Sequence, residues 1–425
     1  MFHLKCLHHQ FFQHKDVIQI KKKSKKNSKS FLIDLLAKQA ILWLFAKNQR
    51  QLEFIFTKRQ IPFTIPLGNI TLNHQYRLSL LTKGSLSVVL ASKLVPRKLG
   101  KRILSRIHIV PRISSPTCVA TKQAHTGWVY SVAFHPTKQL LASGSGDRTV
   151  RLWNCSDPIN TRQVAELTGH TDWVNSVAFH PTKPLLASGS HDRTVRLWNC
   201  SYPENTRQVA ILTGHTSLVY SVAFHPTKQL LASGSGDTTI GLWNCSDPQT
   251  THQVKILHGH TGWVRSVAFH PSLPLLASGS HDTTVRLWNC SNPDETHQVA
   301  ILTGHTHWVR SVAFHPTKQL LASGSSDRTV RLWDCSDPEN TRQVAELTDH
   351  IDWVNSVAFH PSLSLLATGS FDTTVRLWDC SNPDETHQVA ILPGHTNHVL
   401  SVAFHPTLPF LASVSMDNTY KLWQL

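Results

Sequence analysis

Tryptophan returns at Trp153, Trp198, Trp243, Trp288, Trp333, Trp378 and Trp423, each 45 residues after the last. His125, His170, His215, His260, His305, His350 and His395 keep the same interval, and no insertion interrupts the seven copies. A unit this short cannot cover its own apolar face, so the copies must stack and share a core. About Ser114 to Leu425 is therefore one domain. Its repeats run 125–169, 170–214, 215–259, 260–304, 305–349, 350–394 and 395–425.

Each copy reads as four short strands. "QVAEL" (Gln163–Leu167) alternates between polar neighbours. In "VNSVAFHP" the apolar Val174, Val177 and Phe179 are spaced by three and then by two, which predicts a β-bulge where the strand begins. "LLASGS" and "TVRLWNC" flank the short turn "HDRT" and predict a hairpin. Pro181 and Pro203 fall in connections, where a missing N–H costs no ladder bond. Four strands in a unit of this length is the pattern of a propeller blade.

The recurring frame "GH … D … LW[ND]" resembles the WD-repeat family over about three quarters of the chain. "GH" stands at Gly169-His170, Gly214-His215, Gly259-His260, Gly304-His305 and Gly394-His395, and gives way to Ala124-His125 and Asp349-His350. The "WD" pair is literal at Trp333-Asp334 and Trp378-Asp379; Asn replaces Asp in four copies and Gln424 does so in the last. The resemblance implies an all-β fold, a seven-bladed β-propeller of four-stranded antiparallel blades. The last copy stops after its third strand. "TCVATKQAH" (Thr117–His125) aligns with "RQVAELTGH" (Arg162–His170), so residues 117–122 are expected to supply the missing strand and leave no long open edge.

Every copy also holds a Ser or Thr, a His, an Asp and a Trp. The sets are His125, Ser143, Asp147, Trp153; His170, Ser188, Asp192, Trp198; His215, Ser233, Asp237, Trp243; and His260, Ser278, Asp282, Trp288. The remaining three are His305, Ser323, Asp327, Trp333; His350, Thr368, Asp372, Trp378; and His395, Ser413, Asp417, Trp423. Ser188 and Trp198 are expected opposite each other across the hairpin. The resemblance implies that the four groups hydrogen-bond in series, Trp to Ser to His to Asp, as structural tetrads. A catalytic triad would need a free Ser and an oxyanion hole beside it. Here the Trp N–H is expected to occupy the hydroxyl, and one enzyme has no use for seven triads. No catalytic residue is assigned.

Histidine is abundant, at 28 residues. Seven precede proline: His135, His180, His225, His270, His315, His360 and His405. They are expected on one rim, one per blade, too far apart to converge on a zinc ion. "CxxC", "HExxH" and a phosphate loop are absent from the sequence. No metal and no cofactor is expected. Cys155, Cys200, Cys245, Cys290, Cys335 and Cys380 recur once per repeat, so they cannot pair with one another and read as small buried fillers in a reducing compartment. Four lie in "NCS" sequons at Asn154, Asn199, Asn244 and Asn289. The N-terminus has no signal-peptide layout, which points to an intracellular, cytoplasmic or nuclear protein rather than a glycosylated secreted one.

Positions that vary between copies are free to serve a partner. The family's recurrent contact surface is the rim carrying the loop before the first strand and the tight turn. On that rim the sequence places Trp128, Tyr130, Trp173, Tyr220, Trp263, Arg265, Trp308, Arg310, Trp353 and Phe371. Aromatic and arginine side chains together are the composition of interface hot spots. Trp263, Arg265, Trp308 and Arg310, from adjacent blades, are expected at the centre, where they suit an acidic, apolar-anchored peptide. The competing reading is that the indoles pack sideways between blades.

Charge separates the rest. Of 42 Lys/Arg, residues 1–112 carry 22 against three Asp/Glu; residues 113–425 carry 20 against 23. The extension 1–112 is expected to be partly disordered or helical. "KKKSKKNSK" (Lys21–Lys29) suits nuclear import, nucleic acid or anionic lipid. In "FLIDLLAKQAILWLFA" (Phe31–Ala46) the apolar residues fit one helical face, but the run falls short of about 20 apolar residues and should not span a bilayer. The sequence thus points to a non-enzymatic, monomeric scaffold propeller that binds a protein or peptide. The alternative is a nucleic-acid-associated subunit, with nucleic acid or membrane engaged only through the basic extension.

Overall fold

The computed structural model describes residues 116–425 continuously and, before them, six short strands. The chain divides into two units, Met1–Arg112 and Ile113–Leu425. In the first, strands Ser30–Ile33, Leu42–Asn48, Gln51–Ile55 and Phe63–Pro66 form one antiparallel sheet in chain order, and Arg77–Leu81 pairs with Ser87–Ala91. The helical face expected over Phe31–Ala46 is corrected by its described parts, which are strands in register Leu32 to Trp43. A short apolar run such as Leu42–Phe45 fits either element by pattern, and its aromatic residues favour a strand. The basic run Lys21–Lys29 lies outside the described residues. No helix among the described residues is long and apolar enough to cross a membrane.

The second unit is a seven-bladed propeller. Blade one consists, from the axis outward, of Val129–Phe134, Leu140–Ser145, Val150–Asn154 and Arg162–Leu167. Six more sheets follow at the 45-residue interval, with innermost strands starting at Val174, Val219, Val264, Val309, Val354 and Val399. Each innermost strand packs on the next, and Val399–Phe404 packs back on Val129–Phe134. The bulge sits where the spacing put it, between Val174 and Ser176 and at the equivalent points of the other blades.

The core lies between blades. Leu140, Ala142, Val150 and Leu152 of blade one pack on Val174, Val177, Leu186, Trp198 and Cys200 of blade two, and the later interfaces repeat this set. Close approach depends on glycine. A Cβ on Gly189 would stand 2.8 Å from Val219 Cγ1 of the next blade. At six interfaces an inner-strand serine ties the blades together as well: Ser131 Oγ accepts the Val177 N–H at 3.1 Å, and Ser176 accepts from Val222. The cysteines of the repeats are buried free thiols within these cores.

The ring is fastened between blades seven and one by different residues. Thr117–Gln123 pairs with Thr419–Gln424 as the fourth strand of blade seven, in register Ala120 to Leu422. Val414 stands where the other blades have the close-packed glycine. Tyr420 replaces the Val or Ile of the other blades, packs its ring on Trp153 and shares a hydrogen bond with Thr161. His405 reaches Gln139 at 3.0 Å.

The seven His-Pro histidines close the opposite turns. His180 Nδ1 accepts the N–H groups of Thr182 and Lys183 at 3.1 and 2.9 Å, and all seven copies do the same. Their rings lie 4.8–5.0 Å from a phenylalanine of the adjacent blade. A nitrogen accepting two N–H groups must carry no proton, so these rings are neutral in the fold. Burial pushes His135, His225, His315 and His360 down to about 4. The sequon Asn199 spends its Oδ1 on the Ser201 N–H at 2.9 Å, and Asp334 does the same for Ser336, which is why Asn and Asp interchange there.

Two outcomes follow. Deleting residues 117–123 from the full chain is expected to lower the melting temperature sharply, because it unpairs a whole strand and exposes an edge; an unchanged midpoint would remove this strand as the fastener. Stability is expected to fall with acid. A histidine depressed on folding stabilises fully above its unfolded pKa of about 6.5, and that contribution disappears as pH drops toward its folded value. Urea midpoints should therefore decline between about pH 6.5 and 4. His225→Ser, whose hydroxyl can accept a turn N–H without titrating, should make the decline shallower. A flat profile over that window would contradict the neutral-ring assignment.

Candidate functional site

The tetrads occupy the hairpin and the loop that leads into each blade. In blade two Trp198 Nε1–H donates to Ser188 Oγ at 2.8 Å, Ser188 Oγ meets His170 Nε2 at 2.7 Å, and His170 Nδ1 meets Asp192 Oδ2 at 2.7 Å. The same three bonds occur in all seven blades, with Thr368 serving in blade six. The geometry corrects one expectation. Ser188 is opposite Arg196, and Trp198 is opposite Leu186. The indole reaches the hydroxyl along the diagonal, between residues of one sheet face.

Proton direction follows from the donors. The indole can only donate, so the hydroxyl accepts from it and gives its own hydrogen to His Nε2. That leaves Nδ1–H to donate to the carboxylate. Asp192 also accepts from the Thr194 N–H at 3.0 Å and from the Thr171 N–H at 3.1 Å. Burial works against the ionisation of Asp192, but the bonds from His170 and Thr194 hold its carboxyl below the usual range. Burial likewise lowers His170, and the Asp192 bond offsets only part of that. The arrangement has the atoms of a catalytic triad, but each of the seven hydroxyl residues has zero exposure, so no substrate reaches it. Its effect is to lock loop to hairpin.

Gly169 shows how tight this corner is. Its φ is +144°, and a Cβ there would stand 2.7 Å from Arg196 Nη1. Ala124 and Asp349, at the same place in other blades, are not among the residues with positive φ, so the backbone there has changed to admit a side chain.

The rim carrying the tight turns bears a chain of aromatic rings. Trp128 lies 6.0 Å from Trp173; Trp173 stacks on His191 at 5.0 Å; His191 meets Tyr220 at 5.6 Å; Tyr220 stacks on Trp263 at 5.6 Å. Trp263 then stacks on His281 at 4.9 Å, His281 on Trp308 at 4.1 Å, and Trp308 meets Trp353 at 6.2 Å. Trp353 packs on Phe371 at 5.0 Å and Phe371 on His398 at 3.9 Å. Tyr130 stacks on Trp173 at 5.6 Å. Packing between blades and presentation to solvent therefore coexist. Trp128, Trp173 and Trp263 remain 44, 40 and 45% exposed, whereas Trp308, Trp353 and Phe371 are half-buried and Tyr220 is buried.

These rings alternate by pairs of blades. Blades two, four and six put His191, His281 and Phe371 before the turn aspartate, with Asn175, Arg265 and Asn355 on the innermost strand. Blades one, three and five put Gly146, Gly236 and Ser326 at the turn, and Tyr130, Tyr220 and Arg310 on the strand. A Cβ on Gly146 or Gly236 would lie 3.4 Å from the tyrosine of its own blade. Either the turn residue or the strand residue fills the gap between neighbouring blades. His191, His281 and His398 were not singled out from the sequence as members of this ring. A 90-residue alternation laid over the 45-residue repeat is the signal that would have found them.

A family model, "WD domain, G-beta repeat", matches residues 116–154, 161–199, 206–244, 251–289, 296–334, 341–379 and 386–424. The chain belongs to the WD-repeat family. Propellers of this family are typically scaffolds for protein interaction and are generally non-catalytic. The seven matched segments each carry a complete tetrad, histidine included, and each begins on the outer strand of the preceding blade.

Asp192→Ala is expected to strand His170 Nδ1–H and two backbone N–H groups, at about 1–3 kcal/mol. Asp417→Ala should cost a similar amount in blade seven. Denaturant titration of both variants measures this. A hydrolytic activity lost in a folded Ser188→Ala variant would overturn the structural role.

Proposed function

We propose that this chain is a non-enzymatic scaffold whose propeller binds a protein or peptide on the aromatic rim. The observation that supports it is the exposure of Trp128, Trp173 and Trp263. The tetrad indoles, by contrast, are at most 6% exposed. Folding does not require tryptophan on the rim, because blade three uses Leu218 and blade seven uses His398 at the same position. Exposed indoles clustered on a polar rim suit contact with a partner. Tyr130 stacks on Trp173 and Tyr220 on Trp263, and Trp308, Trp353 and Phe371 continue the same rim as half-buried rings.

A second reading draws on the charge split. With 22 Lys/Arg against three Asp/Glu, residues 1–112 have the composition of a polyanion-binding arm. Polynucleotide binding that weakens steeply with salt and disappears on deleting residues 1–112 would favour it. Buried free thiols in every interface but one suit a reducing, intracellular setting.

The test uses a captured partner and circular dichroism as the folding control. Trp173→Ala and Trp263→Ala are each expected to weaken binding by about 2 kcal/mol or more while the fold persists. Trp333→Ala, with its indole buried between blades four and five, is expected to cost folding instead. Unaltered binding by both rim variants would move the site to the opposite rim or to the extension.

A further inference from the structure

The rim opposite the aromatic one carries the His-Pro turns and the connections from the third strand of each blade to the fourth. Four blades tie a turn to the next blade's connection with a lysine. Lys183 of blade two reaches into blade three, where its ammonium donates to the carbonyls of Cys245 at 3.2 Å and Ser246 at 2.7 Å. Lys228 does the same to Cys290 and Ser291 at 2.9 and 2.6 Å, and Lys318 to Cys380 and Ser381 at 2.8 and 2.9 Å. Lys138 reaches Cys200 and Ser201 at 3.5 and 3.1 Å. Two successive carbonyls after the blade tryptophan therefore accept one ammonium, four times over.

Blade four breaks the series. Leu273 stands at the lysine position and packs inward, on the core between blades four and five. The carbonyls it faces, those of Cys335 and Ser336, receive no hydrogen bond among the described residues. Their backbone is nevertheless held as in the lysine-bound blades. Cys335 N–H donates to Gln319 O at 2.8 Å, as Cys245 N–H does to Gln229 O at 2.9 Å. Ser336 N–H donates to Asp334 Oδ1 at 3.0 Å, as Ser246 N–H does to Asn244 Oδ1 at 2.9 Å. Leu408 leaves a second such pair, Cys155 and Ser156, at the seam between blades seven and one.

Charge separates the two pairs. Between blades five and six, Lys318 lines a cleft together with Asp384. Glu339 holds the Asp384 position in blade five, exposed and without an ion pair among the described residues; blade one has the exposed Ile159 there. Only the blade-five pair has a carboxylate at this corner.

We propose that the Cys335 and Ser336 carbonyls, with Glu339 beside them, form a receptor for a lysine side chain of a protein partner. The partner's lysine takes the place that Lys183, Lys228 and Lys318 hold elsewhere in the ring. Its ammonium has three N–H groups, two for the carbonyls and one for the carboxylate. Its methylene stem suits the side of Leu273 and the exposed Pro274. This site lies on the other rim and does not rest on the aromatic face being used.

Calorimetry on the full chain uses Ac-Leu-Lys-Leu-NH2 and its acetyl-lysine counterpart, which keeps the stem and loses the charge. The lysine peptide should bind at least about tenfold more tightly. Leu273→Lys supplies the ammonium from within, so it should raise the melting temperature and abolish that preference. Leu408→Lys should leave the preference intact, and Glu339→Gln should reduce it by about threefold. Equal affinity of the two peptides for the unaltered chain, or binding of neither, overturns the proposal. So does loss of the preference in Leu408→Lys but not in Leu273→Lys, which moves the receptor to the seam. A lower melting temperature in Leu273→Lys means that the blade-five carbonyls do not accept an ammonium, and is equally fatal. If Leu273→Lys does not fold, Glu339→Gln decides: an unchanged preference there removes the receptor from this corner.

Discussion

Neither face of a blade is buried until another blade lies against it. The apolar residues of the second and third strands meet not their own sheet but the valines of the next blade's innermost strand. At six of the seven interfaces that contact leaves no room for a Cβ at Gly189 or its equivalent glycines, so spacing between those blades is set by the backbone itself; Val414 takes the position in blade seven. A linear stack of such units would leave two apolar end faces in water. Closing the circle removes both, and it makes the pairing of Thr117–Gln123 with Thr419–Gln424 the condition on which the other contacts depend.

Two kinds of buried histidine hold the rims, and they are opposite tautomers. Tetrad histidines donate from Nδ1 to an aspartate, whereas His-Pro histidines accept at Nδ1 from two turn N–H groups. The His-Pro rings are neutral in the fold and held below the ordinary histidine value by burial, so they weaken it when protons are abundant. The chemistry also explains which substitutions the repeat tolerates. Thr368 replaces serine because only a hydroxyl is needed, and Asn replaces Asp after the tryptophan because the serine N–H two residues on needs only Oδ1.

The aromatic rim departs from this uniformity. There the repeat sets a volume to be filled between blades without dictating which residue fills it, and an alternation of aromatic turns with aromatic strand positions fills most of it. Where the alternation lapses, at Arg265, the interblade bond made by Asn175 and Asn355 is replaced by a guanidinium lying over the Tyr220 ring.

The sequence by itself determined the blade count, the four strands of each blade, the bulge before Ser176 and the closing strand, because all of these follow from a 45-residue period and from alternation within a few residues. It also placed the tetrad members, since their spacing is the same in every copy. Tertiary structure alone decided which rim tryptophans face solvent. Trp173 and Trp308 occupy equivalent positions, yet one is exposed and the other half-buried, because His281 of the preceding blade covers Trp308 while Trp173 has no such cover from Gly146. It decided the diagonal reach of Trp198 to Ser188, which depends on register between strands. And it decided that Arg265 turns toward Tyr220, 45 residues back along the chain, where Asn175 and Asn355 reach 44 residues forward, a choice which no local pattern encodes.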